Sequence, residues 1–328
     1  MTPGIPVVIN VGAGSAGGAD LANKIAQSFQ ARAVPADVRA ASSGSELVAM
    51  IRAAINEHPS AIVAGGGDGT ISSAAAQLAG TDITLGVLPL GTLNHFAKDL
   101  GIPLEIDAAV QCIVEGNSTL VDVGEVNDRV FINNSSLGLY PDMLRDRERQ
   151  QRRLGRGKLN SLVWASVAAF RRWPFMTVVL DVRGNERRYR TPLVFIGNNE
   201  YRMEGFDIGA RERLDGGQLS IYVVKKPGRA PLVLLALQAM LGRLRQSRDF
   251  EAVLASDCAI ETRHAQLLVA TDGEVSTMSS PLRYRMRPRC LRVFVPANAE
   301  RQKAGRHSHK NKWEATGEPE ASHPSSTV

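Results

Sequence analysis

The sequence predicts an α/β N-terminal domain, in which a parallel sheet carries helices on both faces, followed by a mainly antiparallel, β-sandwich-like second domain. Up to Pro103, short apolar runs alternate with segments whose apolar residues recur at helical spacing. From about Leu120 onward, apolar runs follow one another with turn residues between them. We place the first domain at residues 1–125 and the second at 126–297, and we expect the polar tail at 298–328 to be disordered.

Four short apolar runs supply the strands of the first domain, and a helical stripe follows each of them. The runs are Ile5–Asn10, Ala36–Ala41, 61–64 and 84–88. The stripes are Leu21, Ile25 and Phe29; Leu47, Ile51 and Ile55; residues 71–78; and Leu93, Phe96, Ala97 and Leu100. Ser43 and Glu46 have the spacing of a capping box, which predicts the start of the second helix. Gly101 and Pro103 predict the end of the last one.

The second domain is predicted from short runs rich in β-branched and other apolar residues. They are residues 119–123, 129–133, Met176–Val182, 193–197, Leu219–Val224 and 267–270. Leu282, Tyr284 and Met286 alternate with arginines, which is typical of a half-exposed antiparallel strand. Two helical stretches, at 158–170 and 231–244, interrupt the strands.

Composition limits the class of protein. The three cysteines, Cys112, Cys258 and Cys290, are far apart, which disfavours a disulfide scaffold or a thiolate zinc site and favours a reducing cytoplasm. We find no leader sequence and no apolar stretch of about 18 residues that could span a membrane. The net charge of +6 fits an acidic partner such as nucleotide phosphate or anionic lipid headgroups. We expect a cytoplasmic protein without a nucleic-acid partner; the oligomeric state, a homodimer included, stays open.

The sharpest local motif is Gly65-Gly66-Gly67-Asp68-Gly69-Thr70, between an apolar strand and a helix. Phosphate binds where backbone N–H groups approach closely, and glycines permit that approach. The following helix adds free N–H groups at its N-terminus, and Asp68 adds a carboxylate that can face a metal ion or its waters. A tight turn without a ligand is the alternative. The motif is not a P-loop, because no Gly-Lys-Ser or Gly-Lys-Thr follows.

A second loop, at residues 89–97, also leaves a strand and opens a helix. Ligands of an open parallel sheet lie beyond the carboxyl ends of its strands. Two such loops at neighbouring strands would therefore hold a nucleotide from both sides. Thr92 and Asn94 can bond phosphate, or they can cap the helix, and the residues alone leave both roles open.

A third motif, Thr271-Asp272-Gly273-Glu274, follows the apolar run at 267–270. Asp272 and Glu274 would share a face of an extended strand, where a carboxylate can serve as a general base. Asp-Gly is also a frequent turn dipeptide, so a plain hairpin turn is the alternative.

Together these motifs resemble the catalytic domain of diacylglycerol kinases, a family that also includes sphingosine kinases, ceramide kinases and bacterial soluble lipid kinases. The resemblance rests on Gly66-Gly67-Asp68-Gly69-Thr70 followed by Pro89-Leu90-Gly91-Thr92-Leu93-Asn94, and it extends from about Ile5 to about Val295. The block 271–274 is similar to the acidic catalytic loop of the family. Arg213-Leu214-Asp215-Gly216-Gly217 is similar to the magnesium loop of its bacterial members.

The resemblance implies a kinase that transfers the γ-phosphate of ATP to the hydroxyl of a lipid, with Mg²⁺ as cofactor. Glu274 would accept the proton, with Asp272 beside it. Asp215, Glu212 and Gly217 would hold a structural magnesium. Contacts with the nucleotide would come from Asn10, Gly14, Gly66, Gly67, Asp68, Gly69, Thr70, Ile71, Ser72, Thr92 and Asn94.

The chain departs from the family pattern at two positions. Val11 replaces the proline of the usual Asn-Pro-x-x-Gly turn, and His95 stands where many members have Asp. An NAD kinase-like small-molecule kinase and a non-catalytic nucleotide-binding regulator are the alternatives. Which lipid accepts the phosphate stays open.

One segment bears on contact with a membrane. Residues 145–190 contain thirteen Lys or Arg against four acidic residues, as on a surface that docks peripherally onto the anionic inner face of a membrane. A solvated charged face is the equal alternative.

Overall fold

The fold was obtained as a computed structural model, and the described residues are 4–12, 17–138, 175–201, 211, 213–224 and 250–297. Three sequence predictions lie outside them: the helices at 158–170 and 231–244 and the tail at 298–328. Most of the basic segment 145–190 lies outside them too. In the described part of the chain, no helix is both long enough and apolar enough to cross a membrane.

The first part of the chain alternates strands and helices. In order these are β1 (Ile5–Asn10), α1 (Gly18–Gln30), β2 (Ala36–Ala41), α2 (Gly44–Asn56), β3 (Ala61–Gly66), α3 (Asp68–Leu78), β4 (Thr84–Pro89), α4 (His95–Asp99) and α5 (Ile106–Val114). The four strands pair in parallel in the order β2-β1-β3-β4. This confirms the predicted parallel sheet. It also brings the carboxyl ends of β1, β3 and β4 to one edge, where the glycine-rich loops begin.

The helices α1 and α2 pack as their apolar stripes predict. Ile25 and Phe29 of α1 are buried, as are Leu47 and Ile51 of α2. The hydroxyl of Ser43 accepts a hydrogen bond from the N–H of Glu46 at 3.2 Å, which caps α2. The predicted capping box is only half formed, because the Glu46 carboxylate bonds the N–H of Ser42 at 2.8 Å and not that of Ser43.

The second part consists of strands. They are β5 (Ser118–Val126), β6 (Arg129–Phe131), β7 (Asn134–Gly138), β8 (Met176–Val182), β9 (Asn185–Thr191), β10 (Leu193–Asn198), β11 (Leu219–Val224), β12 (Phe250–Ala255), β13 (Asp257–Thr262), β14 (Gln266–Thr271), β15 (Glu274–Ser279) and β16 (Leu282–Phe294). Six of them form an antiparallel sheet in the order β12-β11-β10-β7-β14-β15. This sheet confirms the predicted class of the second domain.

The remaining strands extend the first sheet in the order β4-β16-β13-β8-β9, with β5 paired to β16 and β6 to β5. The long strand β16 pairs in parallel with β4 through Val293 and Leu85, and antiparallel with β5. The last strand of the sequence therefore returns to the sheet of the first domain. The division near residue 125 stays a prediction, because this sheet is continuous across it.

Two buried apolar clusters hold these layers together. One surrounds β1, β3 and β4 and includes Ile9, Ile62 and Leu88. The other lies between strands of the two sheets and includes Phe131 and Tyr284, whose rings meet edge to face with centroids 6.4 Å apart. The first cluster also includes Val121 of β5 and Val293 of β16, so strands from both parts of the chain share it.

Candidate active site

The glycine-rich loop joins β3 to α3 at the carboxyl edge of the parallel sheet. The helix begins at Asp68, earlier than the predicted residue 71, with Gly67 as its N-cap. The first intrahelical bond runs from the N–H of Ile71 to the carbonyl of Gly67. The N–H groups of Asp68, Gly69 and Thr70 therefore have no helical acceptor, and none of the described residues bonds them. Such a helix start can bind phosphate oxygens.

Close packing explains two glycines of this loop. A Cβ on Gly66 would lie 2.5 Å from the side chain of Thr70, and one on Gly65 would lie 2.7 Å from Cγ2 of Ile9. Neither position accepts a side chain without displacing its neighbour. Ile71 is buried in the core, so it anchors α3 beneath the loop.

A hydrogen bond connects the glycine-rich loop to the end of β1. The Asn10 amide donates from Nδ2 to Oγ1 of Thr70 at 3.1 Å, and its Oδ1 accepts the N–H of Gly12 at 3.1 Å. Asn10 and Thr70, both predicted to contact the nucleotide, thus hold the two loops to each other. Gly14 lies outside the described residues.

The second loop lies directly against the first. A Cβ added to Gly91 would lie 2.4 Å from Cα of Gly67, so the two glycines pack backbone to backbone. Asn94 has a left-handed backbone with φ of 51°. Its Oδ1 accepts the N–H of Gly91 at 3.0 Å, and its Nδ2 donates to the Gly91 carbonyl at 2.8 Å. Asn94 therefore shapes the turn, and it makes no side-chain cap on α4.

The exposed residues of the second loop are Thr92, Leu93 and His95. The prediction that Leu93 lies on the apolar face of the fourth helix was wrong, because α4 begins at His95 and Leu93 is 57% exposed. None of the described residues bonds the Thr92 hydroxyl, so the predicted contact of this residue with the nucleotide stays a prediction. Its neighbour His95 occupies the position where the family often has Asp, and it faces solvent.

The acidic motif is a two-residue hairpin turn between β14 and β15, because Thr271 pairs with Glu274. Asp272 and Gly273 have φ values of 48° and 86°, as a type I′ turn requires. Asp272 and Glu274 therefore do not share a face of one strand. The backbone therefore follows the alternative of a hairpin turn, and the two carboxylates have different surroundings.

The carboxylate of Asp272 is fully engaged. Its Oδ2 accepts the N–H of Ile132 at 2.8 Å and the hydroxyl of Ser72, and its Oδ1 accepts the N–H groups of Asn133 at 2.8 Å and Asn134 at 3.0 Å. Enclosure raises the pKa of Asp272, and these hydrogen bonds offset part of that effect. Asp272 joins the acidic hairpin to α3 and to the start of β7.

Glu274 is the more accessible carboxylate, with 57% of its side chain exposed. Its Oε2 accepts a hydrogen bond from Nη2 of Arg129 at 2.8 Å. Its Oε1 lies 4.0 Å from the position of a Cβ built on Gly69. The fold therefore brings a carboxylate from the second sheet close to Gly69, in the first turn of α3.

A cavity of ≈ 380 Å³ adjoins Glu274. It lies between α3 and the β5–β6 hairpin, and the lining is largely polar. The lining residues include Ser72, Ser73, Gln77, Asn127, Asp128, Arg129 and Thr271.

The predicted magnesium loop is held by a residue that sequence analysis did not identify. Asp122 on β5 is 1% exposed, and its Oδ2 accepts the N–H of Gly217 at 2.7 Å. Its Oδ1 accepts the N–H of Arg289, at the bulge in β16, at 2.8 Å. The signal in the sequence was an acidic residue inside an apolar strand, which requires partners when buried.

Asp215 lies on the outer part of this loop. Its Oδ1 is 3.2 Å from Nε of Arg213, and 35% of its side chain is exposed. Glu212 lies outside the described residues. Among the described residues, no group of three or more His, Cys, Asp or Glu side chains could hold a metal ion by itself.

Comparison with protein families defines the class of protein. Residues 5–126 match the diacylglycerol kinase catalytic domain, and residues 142–295 match the YegS C-terminal NAD kinase β-sandwich-like domain. Together the two matches span most of the chain. Residues 5–126 are therefore a diacylglycerol kinase catalytic domain, and residues 142–295 are a YegS-type β-sandwich-like domain.

Individual relatives agree with this assignment. A diacylglycerol kinase of Staphylococcus aureus (strain JH9) is 31% identical over 188 residues, which are 55% of this chain and 57% of that protein. The chain thus matches little more than half the length of this curated relative. The same match is found in strain Newman.

Solved structures show the same fold. A diacylglycerol kinase from Bacillus anthracis str. Sterne superposes with a TM-score of 0.65 at 21% identity, covering 90% of this chain and 98% of that chain. Another structure from the same organism has a TM-score of 0.71 at 22% identity, covering 90% and 96%. At this level of identity the likeness concerns the fold alone.

Proposed function

We propose that the protein is an ATP-dependent lipid kinase, which transfers the γ-phosphate of ATP to the hydroxyl of a lipid. One observation carries the proposal. Oε1 of Glu274 lies 4.0 Å from a Cβ built on Gly69, so a carboxylate faces the start of α3. Phosphoryl transfer needs a phosphate held in position and a base beside the attacking hydroxyl; the start of α3 can hold the phosphate, and Glu274 can be the base.

The nucleotide phosphates would lie against the backbone of the glycine-rich loop. The N–H groups of Asp68, Gly69 and Thr70 point out of the first turn of α3, and Gly67 leaves that turn open. Thr92 would contact the nucleotide from the second loop, which touches the first at Gly91. The relatives named diacylglycerol kinase support this use of the loop.

Glu274 would accept the proton of the lipid hydroxyl. Arg129 holds its Oε2 at 2.8 Å, which leaves Oε1 directed toward Gly69. A carboxylate with one anchored and one open oxygen suits a general base, because its direction is set while one oxygen stays free. Asp272 would position the hairpin that carries Glu274, since four donors occupy its own oxygens.

The donor set also fits Mg²⁺. This cation prefers one or two carboxylates together with waters and phosphate oxygens, so a site near the phosphates needs only Asp68 from the described residues. Asp215 and the backbone of its loop offer oxygen ligands for a structural ion. When bound, Mg²⁺ supplies charge neutralisation on the phosphate oxygens.

The site of action follows from the substrates. ATP is cytoplasmic and a lipid acceptor lies in a membrane, so we propose that the enzyme works at the inner face of the membrane. The basic segment 145–190 carries the charge that anionic headgroups attract.

A direct assay tests the proposal. The purified protein is incubated with radiolabelled ATP, Mg²⁺ and a panel of lipids, and the products are separated by thin-layer chromatography. A labelled lipid that depends on Glu274 supports the kinase. ATP binding without any labelled lipid across the panel would favour the non-catalytic regulator.

A further inference from the structure

Arg211 is a buried cation that sequence analysis did not single out. Its side chain is 0% exposed, and that of its ion partner Asp99 is 7% exposed. Nε of Arg211 donates to Oδ2 of Asp99 at 2.7 Å, and its backbone N–H donates to Oδ1 at 3.3 Å. Burying a guanidinium costs free energy unless the group is paired and hydrogen-bonded, and Asp99 provides that partner for Arg211.

The other end of the guanidinium reaches the segment 132–134. Nη1 donates to the carbonyl of Ile132 at 2.6 Å and to that of Asn198 at 3.2 Å, and Nη2 donates to Oδ1 of Asn133 at 2.7 Å. The N–H groups of residues 132–134 are the donors that hold the Asp272 carboxylate. Arg211 and Asp272 of the acidic hairpin therefore bind the same segment, residues 132–134.

Further contacts fix the geometry of this connection. The guanidinium lies over the ring of Tyr201, 5.5 Å from its centroid, and the Tyr201 hydroxyl donates to the Asn133 carbonyl at 2.9 Å. The Asn198 amide donates to the carbonyls of Asp122 and Ile132, each at 2.9 Å. The same network thus touches the residue that holds the 213–217 loop.

We propose that Arg211 is a positioning residue, which sets the second nucleotide loop relative to the acidic hairpin through Asp99 and through residues 132–134. Asp99 ends α4, which begins directly after Asn94. A shift of α4 would therefore displace Thr92 relative to Glu274. The kinetic consequence rests on the proposed kinase function: a displacement of about 1 Å can cost up to about 10²-fold in rate.

The test compares two Asp→Asn variants of the full chain. Asp99→Asn removes the charge that Arg211 binds. Asp107→Asn is the matched control, because Asp107 on α5 accepts the Ser28 hydroxyl at 2.6 Å near the far end of α1. We expect Asp99→Asn to lower kcat by about 10-fold or more with KM for ATP changed less than about threefold. Asp107→Asn should leave both constants unchanged, even where its melting temperature falls.

A second readout does not depend on catalysis. Hydrogen exchange of the protein without ligands should become faster at residues 271–275 in Asp99→Asn and should stay unchanged there in Asp107→Asn. This result would support the coupling even if the wild type phosphorylated no lipid, in which case only the proposed function would fail. Unchanged exchange at 271–275 in folded Asp99→Asn would overturn the positioning role.

A third variant covers the case in which Asp99→Asn does not fold. Arg211→Lys keeps the buried charge but lacks the planar fork that reaches Asp99 and Asn133 together. The same acceleration at 271–275 is expected. Wild-type exchange and wild-type kcat in Arg211→Lys would overturn the proposal.

Discussion

Ser72 donates a hydrogen bond to the carboxylate of Asp272, and this bond fastens the helix of the glycine-rich loop to the acidic hairpin. The two residues are 200 positions apart in the sequence. A hydrogen bond of this kind contributes about 0.5–1.5 kcal/mol when both partners are neutral and about 1.5–3 kcal/mol when one is charged. The bond therefore both stabilises the fold and fixes the distance between the phosphate-binding helix start and Glu274.

Replacing Ser72 with Ala tests that connection. We expect Ser72→Ala to lower the free energy of unfolding by about 1–3 kcal/mol and to lower kcat, because the hairpin loses its tie to α3. Ser73→Ala is the control, since the Ser73 hydroxyl donates only to the Gly69 carbonyl of its own helix, at 2.9 Å. Urea unfolding and steady-state rates measure both effects. Equal behaviour of the two variants would contradict the assigned role of Ser72.

The variant Gly69→Ala distinguishes an effect on activity from an effect on stability. Outside the backbone of α3, the nearest described atom to a methyl group at Gly69 is Oε1 of Glu274 at 4.0 Å, so the described residues leave room for it. We expect Gly69→Ala to keep or slightly raise the melting temperature, because Ala favours a helix over Gly by up to about 1 kcal/mol. We also expect a loss of activity of about 10-fold or more, because the methyl group stands between the phosphate and the base.

Gly66→Ala provides the contrast to Gly69→Ala. Its Cβ would lie 2.5 Å from Thr70, so this variant should lose stability as well as activity. Melting curves and rates taken together distinguish the two patterns. Full activity of Gly69→Ala would contradict the proposal that the reacting phosphate lies between Gly69 and Glu274.

Sequence patterns predicted the regular parts of the fold because apolar periodicity dominates there. The strands β1, β2, β8 and β11 have the predicted bounds. Strand β7 was missed, because Asn134–Gly138 contains Asn, Ser and Gly and lacks an apolar run. Its two serines are fully buried, and Ser135 bonds the hydroxyl of Tyr284 at 3.0 Å. Strands β9, β12, β13 and β15 and helix α5 were also missed.

The candidate site was predictable where its chemistry lies in contiguous motifs. The glycine-rich loop, the second loop and the acidic turn were found from the sequence, and the fold brings them to one edge. Asp122, Arg129 and Arg211 were not found, because each acts on partners far away in the chain. Arg129 bonds Glu274 across 145 positions, and no local pattern marks such a pair.

The raised pKa of Asp272 predicts a pH dependence of stability. Because the folded pKa lies above the ordinary value, the folded state retains a proton that the unfolded state loses as pH rises from about 4. The contribution of Asp272 to stability is therefore fully present below the ordinary pKa and is lost as pH rises through the folded pKa. Asp272→Asn cannot ionise, so the difference in unfolding free energy between it and wild type should change in that window.

Urea unfolding of both proteins between about pH 4 and pH 8 measures this difference. Above the window the difference should become constant. A difference that does not vary with pH would mean that the pKa of Asp272 is the same in the folded and unfolded states.

The 213–217 loop gives a prediction about magnesium. Asp215 is partly exposed and pairs only with Arg213 among the described residues, so Asp215→Ala should change the unfolding free energy by less than about 1 kcal/mol. Activity should fall at low Mg²⁺ and recover in part at high Mg²⁺. Asp122→Asn should instead destabilise the protein at every Mg²⁺ concentration, because it weakens the buried acceptor of Gly217 and Arg289. Wild-type activity of Asp215→Ala at low Mg²⁺ would place the metal elsewhere.

The most direct measurement is the transfer of label from ATP to lipid by wild type and by Glu274→Gln, with ATP affinity measured on the same samples. Gln keeps the size of the side chain and a bond with Arg129 but cannot take up a proton at this site. General-base catalysis contributes a factor of about 10² to 10⁴, so we expect turnover to fall by that factor while ATP affinity stays near wild type. A folded Glu274→Gln that labels lipid at the wild-type rate would contradict the account.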